Sequence, residues 1–301
     1  MPKATHSRIR LSAGEKTFYV FSYALVTIMA LLVLYPLIYI VSASFSSASA
    51  VSTGKVFLWP VDLSVEGYKR VFADSAIWTS YGNTVFYTLV GTTINVSITL
   101  ICAYPLAREA LPHRNLFTFL FSFTMMFSGG MIPGYLLMRD LGFLNTRWAV
   151  LLPGALAVYQ MIVTRTFIQT TIPHELLEAT QVDGCSDVRF FFQFVLPLSK
   201  AVIAVIAMQY AIAHWNDYFS AFLYLSREEL YPLQIILRRI LVMSQIAASD
   251  GSDPDLAAAM VGMSDLLKYA LIVVSTAPIL CVYPFIQKYF VQGVMVGSLK
   301  G

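Results

Sequence analysis

Six stretches of this chain stay apolar for long enough to cross a lipid bilayer, at about residues 18–41, 84–106, 116–138, 148–167, 201–225 and 269–284. The hydrocarbon core is about 30 Å thick and a helix rises about 1.5 Å per residue, so a span takes about 20 apolar residues. No water is present there to bond a free N–H or C=O, so each run is read as a helix and the expected fold is all-α and polytopic, with six transmembrane helices. Composition agrees: 57% of residues are hydrophobic, 12% are charged and mean hydropathy is +0.68. A soluble domain carries about twice that charge. The net charge of +3 is small for the length and gives no case for nucleic-acid binding, which needs a clustered basic face. Cys102, Cys185 and Cys281 are too few and too far apart for a disulfide framework or a paired metal site, and read as inert thiols.

Residues 1–17 form a polar tail whose Lys3, Arg8, Arg10 and Lys16 face a single acid, Glu15, and place the N-terminus in the cytoplasm. The first span is too long for a signal-peptide core and is read as uncleaved. Residues 18–301 are taken as one membrane domain with external loops at 45–81 and 226–265. Arg108 and Arg114 mark the cytoplasmic exit of the second span, and Lys288 and Lys300 a cytoplasmic C-terminus. Ser128, Gly129 and Gly130 interrupt the third span. Such a break is either a packing kink or a pathway wall, because backbone freed at membrane depth must face protein or water. The fifth span carries Gln209, Tyr210, His214, Trp215, Asn216, Asp217 and Tyr218. Polar groups at that depth face a bundle interior or a cavity, and aromatic rings beside amides suit a sugar. The competing reading is a wet helix end at the interface.

Between the fourth and fifth spans lies a polar island, residues 171–200. Thr171 can cap a helix, Pro173 suits its first position and Gly184 can stop it, which predicts a helix over 173–183. Ser186 and Asp187 then cap a second helix that Pro197 kinks or ends. Glu175, Glu178 and Val182 share one face by their spacing. Acids outnumber bases between Glu175 and Arg189, a poor match for anionic lipid. The expected occupant is a protein partner whose Arg meets a carboxylate.

At these residues the chain resembles the inner-membrane permease subunits of bacterial ABC importers. Glu178, Ala179, Thr180, Gly184, Phe194, Leu196 and Pro197 occupy the positions of that family's signature loop. Thr180 stands where a second Ala is usual, and Phe194 where Ile is usual. The resemblance implies that 171–200 is a coupling loop seated in a cleft of the ATPase subunit, with Glu178 meeting a basic residue. Ala179, Asp183 and Gly184 would form the docking surface, with Glu175, Leu196 and Pro197 in the same loop. The phrases Phe127-Ser128-Gly129-Gly130-Met131-Ile132-Pro133 and Asp140-Leu141-Gly142-Phe143-Leu144-Asn145-Thr146 resemble a carbohydrate branch that handles complex oligosaccharides, pectin and alginate fragments among them. Trp215-Asn216-Asp217 matches a recurring phrase of sugar permeases. The implied partners are a second, different permease subunit, two ATPase subunits that bind ATP and Mg, an extracytoplasmic solute-binding protein and an oligosaccharide. The implied location is the bacterial inner membrane.

No phosphate-binding loop of the Gly-x-x-x-x-Gly-Lys-Ser/Thr type occurs, so energy is expected from another subunit and no cofactor from this chain. No catalytic elbow or metal-spaced cluster is found either. The alternative is a secondary transporter in which Asp217 or His214 carries a coupling ion. For an acidic cargo, Arg147, Arg165 and Lys268 are the candidate cations.

Overall fold

A computed structural model describes residues 12–249, 262, 264–282 and 284. Most of the N-terminal tail, the stretch after Ser249 and the C-terminal tail lie outside the described residues. Every regular element among the described residues is helical, as the apolar runs require. The first helix, α1 (Ala13–Ser44), opens with a reciprocal cap: Ser12 Oγ accepts from the Glu15 amide at 3.2 Å, and Glu15 Oε2 from the Ser12 amide at 2.6 Å. Its apolar side chains are exposed along almost its whole length, as befits a helix whose solvent is lipid.

The chain divides into two compact units. One comprises residues up to Val71 together with Met243–Val273. Here the end of α1 and α2 (Ala48–Ser52) bury Ala43, Ala50 and Val51 with Val56. Tyr39 meets Tyr269 edge-on at 5.7 Å, and Ser44 Oγ lies 2.8 Å from Tyr68 Oη. Gly67, in α3 (Glu66–Ala73), lets the backbone approach Leu266, whose carbonyl would stand 3.0 Å from an added Cβ.

The other unit comprises Phe72–Val242 and the chain from Val274 onward, and α4 (Ser75–Ala107) is its axis. Thr84, Tyr87, Gly91, Asn95 and Thr99 are buried at steps of three and four, one face of the helix, with Asn83 buried beside them. At its loop end, Asn83 Nδ2 donates to the Glu229 carbonyl at 2.7 Å, Tyr87 Oη to Leu230 at 2.9 Å, and the Leu233 amide to Thr84 Oγ1 at 2.8 Å. Next come α5 (Arg114–Met126) and α6 (Met131–Asp140), bent by 111° at a break where Gly130 takes φ +87°. The interruption expected at Ser128–Gly130 is present, and the bend is too sharp for a mere kink in one straight crossing.

Besides the third, two more expected spans are not single helices. Residues 148–167 resolve into α7 (Trp148–Leu151) and α8 (Val158–Thr171). Pro153 has no amide to donate and Gly154 takes φ +73°, so the helix cannot continue between them. With 14 residues, α8 measures about 21 Å, short of a straight crossing. The polar island forms α9 (His174–Val182), α10 (Asp187–Phe190), a π-helical turn (Phe191–Val195) and α11 (Leu196–Leu198). Residues 201–225 resolve into α12 (Lys200–Asn216) and α13 (Phe219–Tyr224), parted at Asp217, which is extended. Within the loop expected at 226–265 lies α14 (Leu233–Ser249), and the sixth apolar run forms α15 (Ser264–Val282). Among the described residues α1, α4 and α15 are each long and apolar enough to cross a bilayer. The bent pairs α5–α6 and Asp187–Leu198 with α12 reach that length only jointly.

Candidate functional site

Two places gather the predicted residues, a hairpin and a polar cleft, both in the second unit. The hairpin begins one step later than its sequence implies. Thr171 ends α8 instead of capping α9, because Pro173 forces Ile172 into an extended conformation and itself becomes the N-cap. At the other end the Cys185 amide donates to Thr180 at 2.9 Å and the Gly184 amide to Gln181 at 3.0 Å, with Gly184 at φ +76°. This is the paired-bond helix stop for which glycine is suited. Ser186 then caps α10, its Oγ accepting from the Arg189 amide at 3.3 Å. Leu177, Phe190 and Val195 bury against Ala103, Leu106, Met161 and Ile168.

With that base packed, the opposite surface is left open. Glu175, Glu178, Ala179, Val182, Asp183 and Gly184 are exposed, Val182 by 88%. Glu178 Oε1 lies 3.1 Å from His174 Nδ1, and its side chain remains 65% exposed. An apolar knob ringed by carboxylates is thus presented outward. Thr180 faces the base: it is buried and its Oγ1 donates to Leu177 at 2.8 Å. Leu196 is half-buried and Pro197 exposed.

The cleft, of about 360 Å³, is walled by Asn95 of α4, Gln160 of α8, and Gln209, Tyr210, His214 and Asp217 at α12 and its end. Gln160 Nε2 donates to Gln209 Oε1 at 3.0 Å, and the Asn95 amide lies 3.2 Å from His214 Nε2. Tyr210 Oη lies 2.8 Å from Thr99 Oγ1 and accepts from the Ala157 amide at 3.2 Å. Asp217 borders the cleft, and its Oδ1 accepts from the Ser220 amide at 3.1 Å. Amides, an imidazole, a phenol and a carboxylate on one concave wall can bind hydroxyl groups. Tyr210→Phe is expected to cost about 1–2 kcal/mol by stranding Thr99 and the Ala157 amide; a thermal melt in detergent measures it.

The other predicted pathway residues stand elsewhere. Trp215 is buried, its Nε1 donating to Ser275 at 3.0 Å and its ring edge-on to Tyr81, so it packs helices instead of lining the cleft. Asn216 is exposed and bonds back to Ile212. Tyr218 lies under the Arg238 guanidinium at 4.5 Å. Ser128, Gly129 and Gly130 are exposed at the α5–α6 break and do not border the cleft. The three candidate cations are engaged: Arg147 stacks on Phe86 at 4.4 Å, Arg165 donates to Leu106 at 2.9 Å and Lys268 pairs with Asp265 at 2.6 Å. Among the described residues no group of three or more His, Cys, Asp or Glu side chains is placed to hold a metal.

No family model matches the chain. Protein LplC of Bacillus subtilis is 41% identical over 88% of this chain and 89% of its own length. The polygalacturonan/rhamnogalacturonan transport system permease protein YtcP of the same organism is 38% identical over 95% and 99%. A chain of the crystal structure of a bacterial ABC transporter involved in the import of the acidic polysaccharide alginate superposes with a TM-score of 0.84. It is 37% identical and is matched over 94% of this chain and all of that one. The chain belongs to the carbohydrate ABC importer permeases. It is a transport component, multi-pass in the membrane, and membership in an ATP-driven family leaves the ion-coupled alternative without support.

In this permease, sequence reasoning named Tyr210 and Asp217, and noted Gln209 and His214, but missed Asn95 and Gln160. The signal for Asn95 was present: Thr88, Thr92, Asn95 and Thr99 recur at steps of four, three and four in an otherwise apolar span. A polar stripe in lipid marks the face turned to protein or water. Gln160 carries no such signal, since its short helix shows no clean stripe.

Proposed function

We propose that this permease carries complex oligosaccharides, acidic pectin- or alginate-type fragments among them, into the bacterial cell by ATP-driven alternating access. The hairpin 171–200 is the coupling loop: α9 seats Val182 in a cleft of an ATPase subunit, and Glu178 meets a basic residue there. Support comes above all from the hairpin's division of labour, an apolar base packed on α4 and α8 beneath an open acidic face. Two ATPase subunits hold ATP and Mg. A different permease subunit completes the pathway, and an extracytoplasmic binding protein delivers cargo at the external loops. Both termini are cytoplasmic, residues 18–301 act as one permease domain, and the chain itself catalyses nothing.

In this reading Tyr210 and Asp217, with Asn95, Gln160, Gln209 and His214, form this subunit's share of the route. The described lining of the cleft contains no Lys or Arg. Its wall therefore reads hydroxyls, and the carboxylates of an acidic cargo fall to the second subunit. The test is ATP hydrolysis by the reconstituted complex with its binding protein, measured against oligogalacturonides, alginate oligosaccharides and neutral arabino-oligosaccharides. Stimulation by a glycan of this panel is expected. Uptake that follows an ion gradient with ATP absent would refute the proposal.

A further inference from the structure

We infer that Arg108 is a positioning residue that clasps the last turn of α4 to the hairpin, so that hairpin movement is passed along α4 to the polar cleft. The inference rests on the coupling role proposed above. Arg108 Nη2 lies 3.1 Å from Asp187 Oδ1, in the first turn of α10. Its Nη1 donates to Tyr104 Oη at 2.6 Å, and the Tyr104 ring meets Phe191 of the π-helical turn at 5.2 Å. The Arg108 side chain is only 17% exposed, whereas Asp187 is 64% exposed. On the other side, α8 grips the same turn: Arg165 Nε donates to the Leu106 carbonyl at 2.9 Å and Gln169 Nε2 to Ala107 at 3.4 Å. The end of α4 is thus held from the segment that enters the hairpin and from the segment that leaves it.

Thirteen residues up the same helix from Arg108, about 20 Å away by the helical rise, Asn95 stands in the cleft wall. A helix gripped at one end and lining a site at the other passes on displacement. A partly wet ion pair contributes little to stability, so what Arg108 supplies is orientation. A planar guanidinium can hold Asp187 and Tyr104 together at fixed angles. A lysine ammonium, a point charge on a flexible stem, cannot. A plain membrane-surface anchor would make the opposite prediction, since Lys and Arg serve that purpose alike.

The experiment uses the full complex with its ATPase subunits and binding protein. In it the native cysteines are replaced by Ser and one reporter, Ala213→Cys, is placed at an exposed position that lines the cleft. Labelling by a water-soluble maleimide is timed before and after trapping with ATP and vanadate. In the parent, trapping is expected to change the labelling rate by about fivefold or more, the size of a typical coupling between sites. Arg108→Lys and Asp187→Asn are expected to hold the change below about twofold with nucleotide still trapped, and Arg108→Asp with Asp187→Arg to restore part of it. A full change in Arg108→Lys, or an exchanged pair no better than the single variants, overturns the clasp alone. No change in the parent, with nucleotide trapped, overturns the hairpin as coupling element as well.

Discussion

Glu178→Lys is expected to abolish ATP-driven uptake while leaving the permease folded in the membrane. Glu178 sits on the open face of α9 with its side chain 65% exposed, so the substitution disturbs no packing. Lys is also as good a helix former as Glu. What changes is the charge that a docked partner meets. Removing one member of a buried ion pair costs about 3–5 kcal/mol, and placing Lys against a basic group adds repulsion, so affinity for the ATPase should fall by more than about a hundredfold. The measurements are membrane yield, co-purification of the ATPase subunits and uptake. Yield should hold while the other two are lost, with Glu178→Gln in between. Normal uptake by the Lys variant would remove the reason for calling this hairpin a coupling element.

Gly91→Val is expected to damage the fold itself. A Cβ at Gly91 would lie within contact of the His214 ring atoms, 2.6 Å from Cε1, where α4 meets α12. Small residues at helix contacts let backbones approach closely in lipid, and here the glycine makes room for an imidazole. Overpacking of this kind costs about 1–3 kcal/mol. It would also push His214 from Asn95 and deform the cleft. Gly82→Ala, in the same helix with open space around it, is the control and should be neutral or slightly stabilising. A melting temperature drop of several degrees for Gly91→Val beside none for Gly82→Ala is the expected pattern. Equal melting of Gly91→Val and the parent would show that α4 and α12 do not meet as described.

The helical class, the polar hairpin and its glycine stop were legible because each depends on neighbours in sequence. Apolar length decides bilayer crossing, Ser186 caps its own helix, and Gly184 supplies a left-handed turn wherever the chain places it. The interruption at Ser128–Gly130 was legible for the same reason, although the 111° bend there was not. The break at Pro153 and Gly154 was equally local and was passed over because the apolar run around it looked continuous.

What the residues settled alone is therefore one-dimensional: which segments are apolar, where the backbone must turn, and which short polar stretch is left in water. Tertiary packing decided the rest. Trp215 and Asp217 are near neighbours in the chain, yet one packs against Ser275 and Tyr81 while the other borders the cleft. Thr180 and Glu178 share one helix, yet one is buried and one presented. A helix repeats every 3.6 residues, so neighbours point in different directions, and only the helices that pack around it determine which direction is interior.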